Sequence, residues 1–215
     1  SELTWTAKGV VIKQETTFPT TDFTTLTMSM GAATPFNLLV RYPSWVTAGT
    51  MEIKINNETF PITTLPGNFV SIDRTWNSGD VVSVKTPMHT SYVAMPNVPE
   101  YIAFMHGPIL LGAKTGSDDL AGLVADDGRW SHIANGSLQA LNYAPIVVSD
   151  RSAILGKITP IDGQPMRFKA SALFVDQPAY HDLVLEPFSG IHDSRYMMYW
   201  MALTQAEYGP LMAAL

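Results

Sequence analysis

The sequence predicts an all-β protein: an antiparallel β-sandwich of jelly-roll type, followed by a second, smaller β region and a long irregular connection between them. Two observations carry that prediction. Apolar residues recur at every second position through much of the first half, and clusters of glycine, asparagine, proline and serine interrupt these runs at short intervals. Many short strands at such spacing are the pattern of a sandwich or jelly roll.

The strands follow in order. In FTTLTMSMGA, Leu26, Met28 and Met30 share one face, and Thr25, Thr27 and Ser29 share the other. In PFNLLVRYPSW, Phe36, Leu38, Val40 and Tyr42 align before Pro43 ends the run. MEIKINNETF alternates Met51, Ile53 and Ile55 against Glu52, Lys54 and Asn56 and reverses near Asn56-Asn57. NFVSIDRTWNSGDVVSVKTPM supplies two strands joined around Asn77-Ser78-Gly79-Asp80, where asparagine and glycine permit positive φ. The apolar run at Ile109, Leu110 and Leu111 reads as the last strand of this unit, which is expected to span residues 1–113.

From Lys114 the period is lost. GSDDLAGLVADDGRWSHIANGS mixes glycine, acids and isolated apolar residues, as a long loop does. Connections beyond about 12 to 15 structureless residues are usually functional or lie against a partner. Strand patterns resume at ILGKITPIDGQPMRFKASALFV, where Ile161-Asp162-Gly163-Gln164-Pro165 reads as a hairpin turn, and continue through LVLEPF and RYMMYW. The loop and second β region occupy residues 114–203, the last strand either closing that region or pairing with the first sandwich. Residues 204–215 form a tail that begins as a helix, with Gly209-Pro210 expected to interrupt it.

Composition narrows the function. Among 215 residues the formal net charge is -6, so a partner held through phosphate neutralisation, such as nucleic acid, is excluded as an expectation. No apolar stretch reaches the roughly 18 residues of a membrane helix. Charged residues make up only 15%, below the roughly 25% of typical soluble domains, so much of the surface is uncharged or covered by something else. Cysteine is absent, which removes disulfides and thiolate metal sites and leaves the compartment undetermined. The opening SELTW has neither an initiator methionine nor a signal segment, and reads as the start of a processed product or a piece of a longer protein.

The densest candidate for chemistry is PFSGIHDSRYMMYW, residues 187–200. As one strand over 191–200, it places His192, Ser194, Tyr196, Met198 and Trp200 on one face and Asp193, Arg195, Met197 and Tyr199 on the other. His192 and Asp193 then cannot orient the same substrate atom. Large apolar groups on both faces fit a strand buried on two sides, its polar residues tying down a neighbouring loop. The competing reading is a ligand or interface site built from His192, Asp193 and Arg195.

Asp118, Asp119, Asp126 and Asp127 lack the alternating ligands and closing glutamate of a calcium loop. Adjacent loop carboxylates also define no glycosidase pair, so a solvated or interface loop is the expectation. The histidines His89, His106, His132, His181 and His192 show no zinc-helix spacing, and no phosphate loop or GxSxG elbow appears, so no metal or cofactor is predicted. Trp45 and Trp130 are candidates for stacking on a sugar ring, against the more ordinary role of filling core. Asn57-Glu58-Thr59 and Asn135-Gly136-Ser137 match the glycosylation sequon and are read as accidental.

The succession FNLLVRYPSW, MEIKINNE, FVSIDRTWNSGDVVSVKTPM and FMHGPILLGA resembles the region after the catalytic domain in bacterial β-L-arabinofuranosidases, glycoside hydrolase family 127. DDLAGLVADDGRWSHIA and LEPFSGIHDSRYMMYW resemble the C-terminal continuation in members from gut Bacteroidetes. The resemblance implies a catalytic (α/α)6 barrel N-terminal to this region, with a glutamate acid/base and a cysteine nucleophile beside a zinc held largely by cysteines. Without cysteine here, no catalytic or metal residue transfers to this chain.

What the resemblance implies instead is a non-catalytic accessory β-sandwich region, inactive alone, that braces the barrel or an oligomer interface of a periplasmic or extracellular bacterial enzyme. The loop from Ser117 to Asn135 is the expected docking surface, with Arg129, Trp130 and His132 as contacts, since arginine and aromatic residues are enriched in interface cores. The alternative is a carbohydrate-binding module for plant cell-wall polysaccharide.

Overall fold

A computed structural model describes residues 1–117, 144–192 and 194–215. The chain divides into two units, Ser1–His89 and Thr90–Leu215, and each has its own apolar core.

The first unit contains β1 (Glu2–Trp5), β2 (Val10–Thr16), β3 (Phe23–Met30), β4 (Thr34–Arg41), β5 (Glu52–Ile55), β6 (Glu58–Phe60), β7 (Phe69–Trp76) and β8 (Val81–Lys85). Six of these form an antiparallel sheet in the order β1-β2-β3-β8-β5-β6, and β4 pairs with β7 in a separate two-stranded sheet. Met28, Ile53, Val82 and Val84 from the larger sheet share one core with Phe36, Val70, Ile72 and Trp76 from the smaller. The unit is therefore a sandwich with unequal layers.

The alternation in the sequence is what lets each strand serve that core. Along β7, Val70, Ile72 and Trp76 are buried while Phe69, Ser71, Asp73 and Thr75 are exposed. Trp76 stacks on Phe36 at 5.5 Å, and its indole N–H donates to the Phe36 carbonyl across 3.0 Å, so its one polar atom is satisfied inside the core. Past β4, buried Tyr42 bends the chain: its hydroxyl donates to the Thr47 carbonyl and accepts from the Gly49 amide.

Two turns converge on one carboxylate. Asn56 and Asn57, both at positive φ (51° and 71°), make the two-residue turn between β5 and β6, a conformation asparagine tolerates better than most residues. The turn Asn77 to Asp80 carries the chain from β7 in the smaller sheet back to β8 in the larger. Asp80 is buried; its carboxylate accepts from the Asn56 amide at 2.8 Å and the Asn77 backbone N–H at 2.9 Å, with the Arg74 guanidinium 3.8 Å away. The Asn56 side chain in turn accepts from the Val81 N–H at 2.8 Å. Burial pushes the Asp80 carboxyl up, but the bonds from Asn56 and Asn77, with Arg74 nearby, outweigh it and hold it below its ordinary value.

The second unit contains β9 (Thr90–Met95), β10 (Val98–His106), β11 (Ile109–Gly116), β12 (Val147–Val148), β13 (Thr159–Ile161), β14 (Gln164–Lys169), β15 (Val184–Pro187), β16 (Arg195–Met197), β17 (Trp200–Leu203) and the helix α1 (Gln205–Ala214). The sheet runs β12-β17-β10-β11-β15-β14-β13, with β9 on β10 and β16 on β11. Asp162-Gly163 makes the β13–β14 turn, Gly163 taking φ 67°. Trp200 lies at the centre of the core, 6.0 Å from Phe104 and 5.5 Å from Phe174. Arg151 reaches the carbonyls of Pro99 and Ala202 at 2.8 and 3.3 Å, tying the start of β10 to β17.

Three sequence expectations give way here. The strand bearing Ile109 to Leu111 pairs with β10 and β15, so the first unit closes at His89 and not near Ala113; an apolar run does not reveal which sheet it joins. Residues 191–200 are not one strand: β16 pairs with β11 and β17 with β10 and β12, all within the second unit. Finally, α1 continues through Pro210. Its start is fixed by a capping box in which Glu207 accepts from the Thr204 N–H, a bond that also holds the Glu207 carboxyl low. Tyr208, Leu211 and Met212 pack on Ile146 and Val148 and hold the helix against the loss of one internal hydrogen bond at Pro210.

Replacing Asp80 with alanine leaves the Asn56 amide and the Asn77 N–H without their acceptor and is expected to destabilise the first unit by about 2–3 kcal/mol, read by urea unfolding at neutral pH. Because the folded carboxyl lies below its ordinary 3.8, its stabilisation is present above that value and fades as pH falls through the lower folded one. The gap between the parent sequence and Asp80→Asn should therefore narrow below about pH 4.

Candidate functional site

The described residues of the reactive-looking stretch 187–200 include several close packing contacts. A single 3-10 turn at Phe188–Gly190 follows β15, and its end buries Ile191. Gly112 on β11 faces this segment so closely that a Cβ there would lie 3.0 Å from both the Ile191 side chain and the Met197 carbonyl. The Ser194 hydroxyl lies 2.8 Å from the Gly116 carbonyl and 2.7 Å from that of Arg195. Trp200 is fully buried, whereas Tyr196 and Tyr199 are exposed. His192 is exposed and Arg195 half-buried; Asp193 lies outside the described residues. With Asp193 outside the described residues, a site built from His192, Asp193 and Arg195 stays an expectation of the sequence.

Arg129, Trp130 and His132, the docking contacts expected from the sequence, also lie outside the described residues, as do the four loop aspartates. Trp45 is half-buried, packs on the first core and meets Phe18 at 6.3 Å. His89 and His181 are exposed. His106 stands 3.1 Å from the Thr90 hydroxyl and 4.8 Å from the Phe168 ring. Among the described residues no three His, Cys, Asp or Glu side chains gather as metal ligands, and no helix is long and apolar enough to cross a membrane.

Two clefts remain. The larger, about 740 Å³, lies in the second unit among short 3-10 turns and includes Asp176, Gln177, His181 and Asp182. Most of its polar groups already have partners. Gln177 donates to the Ile146 carbonyl and accepts from the Ile146 N–H, both at 2.7 Å. Asp176 accepts from Gln205 at 3.5 Å, and His181 meets Asp182 at 3.4 Å in full solvent. This cleft is a surface dip whose Gln177 is already committed to the Ile146 backbone.

The smaller cleft, about 290 Å³, lies in the first unit beside the connection from β2 to β3. Phe18 and Phe23 form apolar walls, each roughly two-fifths exposed (39% and 44%). Gln14, Asp22 and Thr86 supply polar edges. Among the described residues the half-buried Asp22 side chain makes no hydrogen bond or ion pair, although its backbone carbonyl accepts from the Thr86 N–H at 2.8 Å. Sequence reasoning passed over this site. Its signal is FPTTDF, a proline- and threonine-rich turn bracketed by two phenylalanines that neither flanking strand needs for its core.

Comparison with known families supplies the wider context. A family model described as β-L-arabinofuranosidase, GH127 middle domain, matches residues 1–88. A second model, DUF4986, described as a domain of unknown function, matches residues 91–202, just over half of the chain. A solved GH127 β-L-arabinofuranosidase from Geobacillus stearothermophilus T6 is similar at 27% identity and TM-score 0.46, over 53% of this chain and 18% of that one. A second GH127 β-arabinofuranosidase shows 23% identity and TM-score 0.45, over 53% and 21%. A structure titled glycoside hydrolase shares the fold at 17% identity and TM-score 0.57, over 94% of this chain and 34% of its own. The chain thus spans between about a fifth and a third of the length of these three structures. No curated protein matches it.

If the 187–200 stretch is packing and not chemistry, substitution costs should follow contact. Gly112→Ala must displace Ile191 or the Met197 backbone and is expected to cost about 1–3 kcal/mol. His192→Ala, at an exposed position, should stay within about 0.5 kcal/mol of the parent sequence. Thermal and urea unfolding of the two variants side by side checks both.

Proposed function

This chain belongs to the DUF4986 family through its second unit and carries a GH127 middle domain as its first, making it a non-catalytic region of GH127-like glycoside hydrolases; from that premise we propose that it braces the catalytic domain of its parent enzyme.

The observation that carries this reading is the outer face of the β4–β7 sheet. Leu39 (57% exposed) and Phe69 (50% exposed) point away from the sandwich core, on the face opposite Leu38 and Val70. In the register, Leu39 opposes Ser71 and Arg41 opposes Phe69, so Leu39 and Phe69 are diagonal neighbours on one surface. The Arg41 guanidinium lies 5.0 Å above the Phe69 ring. An aromatic and an arginine beside an exposed leucine form the kind of cluster enriched in interface cores. The share of the matched structures that the chain leaves uncovered gives such a face something to meet.

In this reading the parent enzyme hydrolyses arabinosides outside the cytoplasm, in the periplasm or the extracellular space, and the chain alone turns over no glycoside. The brace acts by burying apolar surface. It holds the catalytic domain and contributes no reacting group.

Leu39→Glu combined with Phe69→Glu is expected to destabilise the parent enzyme by about 2–4 kcal/mol, from the loss of two buried apolar side chains. The isolated 215-residue chain, where both positions are about half exposed, should lose only about 1 kcal/mol, chiefly the contact of Arg41 with the Phe69 ring. Equal melting of the parent enzyme with and without the substitutions defeats the reading. A dimer of the isolated chain in sedimentation velocity, dispersed by the same substitutions, would assign the face to a second copy instead.

A further inference from the structure

We propose that the small cleft of the first unit, between Phe18, Phe23 and Asp22, is a binding subsite for a neutral sugar ring. This goes beyond the bracing role and does not rest on it.

The walls come first. Phe18 and Phe23 stand at the cleft with much of their rings in water, although a phenyl side chain of a sandwich is ordinarily buried. An exposed aromatic face is a platform for the C–H face of a sugar. Phe18 is steadied from within the unit by Trp45, itself packed on the core. The loop that carries it is closed by the Thr17 and Thr21 hydroxyls at 2.9 Å, by the Thr20 N–H on the Thr17 carbonyl at 2.9 Å and by the Phe18 N–H on the Thr16 hydroxyl at 3.0 Å. The platform is formed before any ligand arrives, which removes an ordering cost from binding.

The polar edge selects the ligand. Asp22 offers a half-buried carboxylate that has no hydrogen-bond or ion-pair partner among the described residues, and no basic residue lines the cleft. Such a group accepts from hydroxyls, in charge-assisted bonds stronger than neutral ones, and repels phosphates and uronates. Gln14 uses one amide hydrogen on Thr24, at 3.1 Å, and keeps the other to donate. The Thr86 hydroxyl is held only by a long 3.4 Å contact to the Asp22 carbonyl. An organic ammonium would use the rings and the carboxylate but leave these donors unmatched. A polyhydroxylated ring uses all of them. The volume, about 290 Å³, sits at the lower limit of ligand pockets and suits one sugar unit and not a long glycan.

The test is an NMR titration of the 215-residue chain with L-arabinose, D-xylose and D-galactose, with galacturonate, choline chloride and calcium chloride as separate arms. At least one neutral sugar should give saturable shifts at Gln14, Phe23, Thr24 and Thr86. Phe23→Ala or Asp22→Ala should weaken that binding at least tenfold while amide signals of β7 stay in place. Thr86→Val, which leaves the loop backbone bonds intact, should weaken it to a smaller extent. Galacturonate should bind at least tenfold more weakly than the best neutral sugar. The proposal falls if no neutral sugar gives saturable shifts, if Phe23→Ala leaves them unchanged, or if choline or calcium alone reproduces them. None of these results bears on whether the Leu39 and Phe69 face braces the parent enzyme.

Discussion

The first unit depends on a carboxylate at the point where its chain passes from one layer to the other. β7 belongs to the two-stranded sheet and β8 to the six-stranded one, and Asp80 sits in the turn between them. By accepting from Asn56 and from the Asn77 backbone, it fixes the crossover against the hairpin of β5 and β6. The turn also joins β3: the Gly79 N–H donates to the Met28 carbonyl at 2.8 Å, and the Met28 N–H donates to the Asp80 carbonyl at 2.9 Å. Buried charge is costly when unpaired. Here it is paired by groups from two turns, so the same residue that would destabilise an apolar core sets the register of the strands around it.

The second unit solves a different problem, since its sheet is assembled from many short strands with turns between them. β12 and β16 have two and three residues, too few to be stable by ladder bonds alone. Cohesion comes from the aromatic centre of Phe104, Phe174 and Trp200, and from side chains such as Arg151 and Gln177 that bond to backbone carbonyls far away in sequence. That explains why residues 187–200 look like a site. A segment that must be held without a long strand needs anchors, and the serine, the tight approach at Gly112 and the buried tryptophan provide them.

What could be read from the sequence follows from the range of the forces involved. Strand alternation and turn chemistry are local, so β3, β4, β5 and β7 and the turns at Asn56-Asn57, Asn77–Asp80 and Asp162-Gly163 were legible. Sheet membership is not local. Ile109 to Leu111 reads as a strand in any context, and only its partners β10 and β15 place it in the second unit. Pro210 argues against a helix by itself, and the opposing evidence, the packing of Tyr208 on Ile146 and Val148, joins positions some sixty residues apart. Asp22 escaped notice for a similar reason: one aspartate in a threonine-rich turn has no pattern until two phenylalanines are seen flanking it.

The small sheet of the sandwich has a further consequence. With only β4 and β7 in it, each strand keeps one margin without a ladder partner among the described residues, and on the other sheet β1 does the same with all four residues exposed. Such margins are templates for strand addition by foreign chains, the first step toward fibrils. Pro35, which cannot donate a backbone hydrogen, interrupts one of them. The colloidal behaviour of the chain by itself would thus follow its selvedges more than its core, and charged residues sewn along β1 are where a more soluble version would begin.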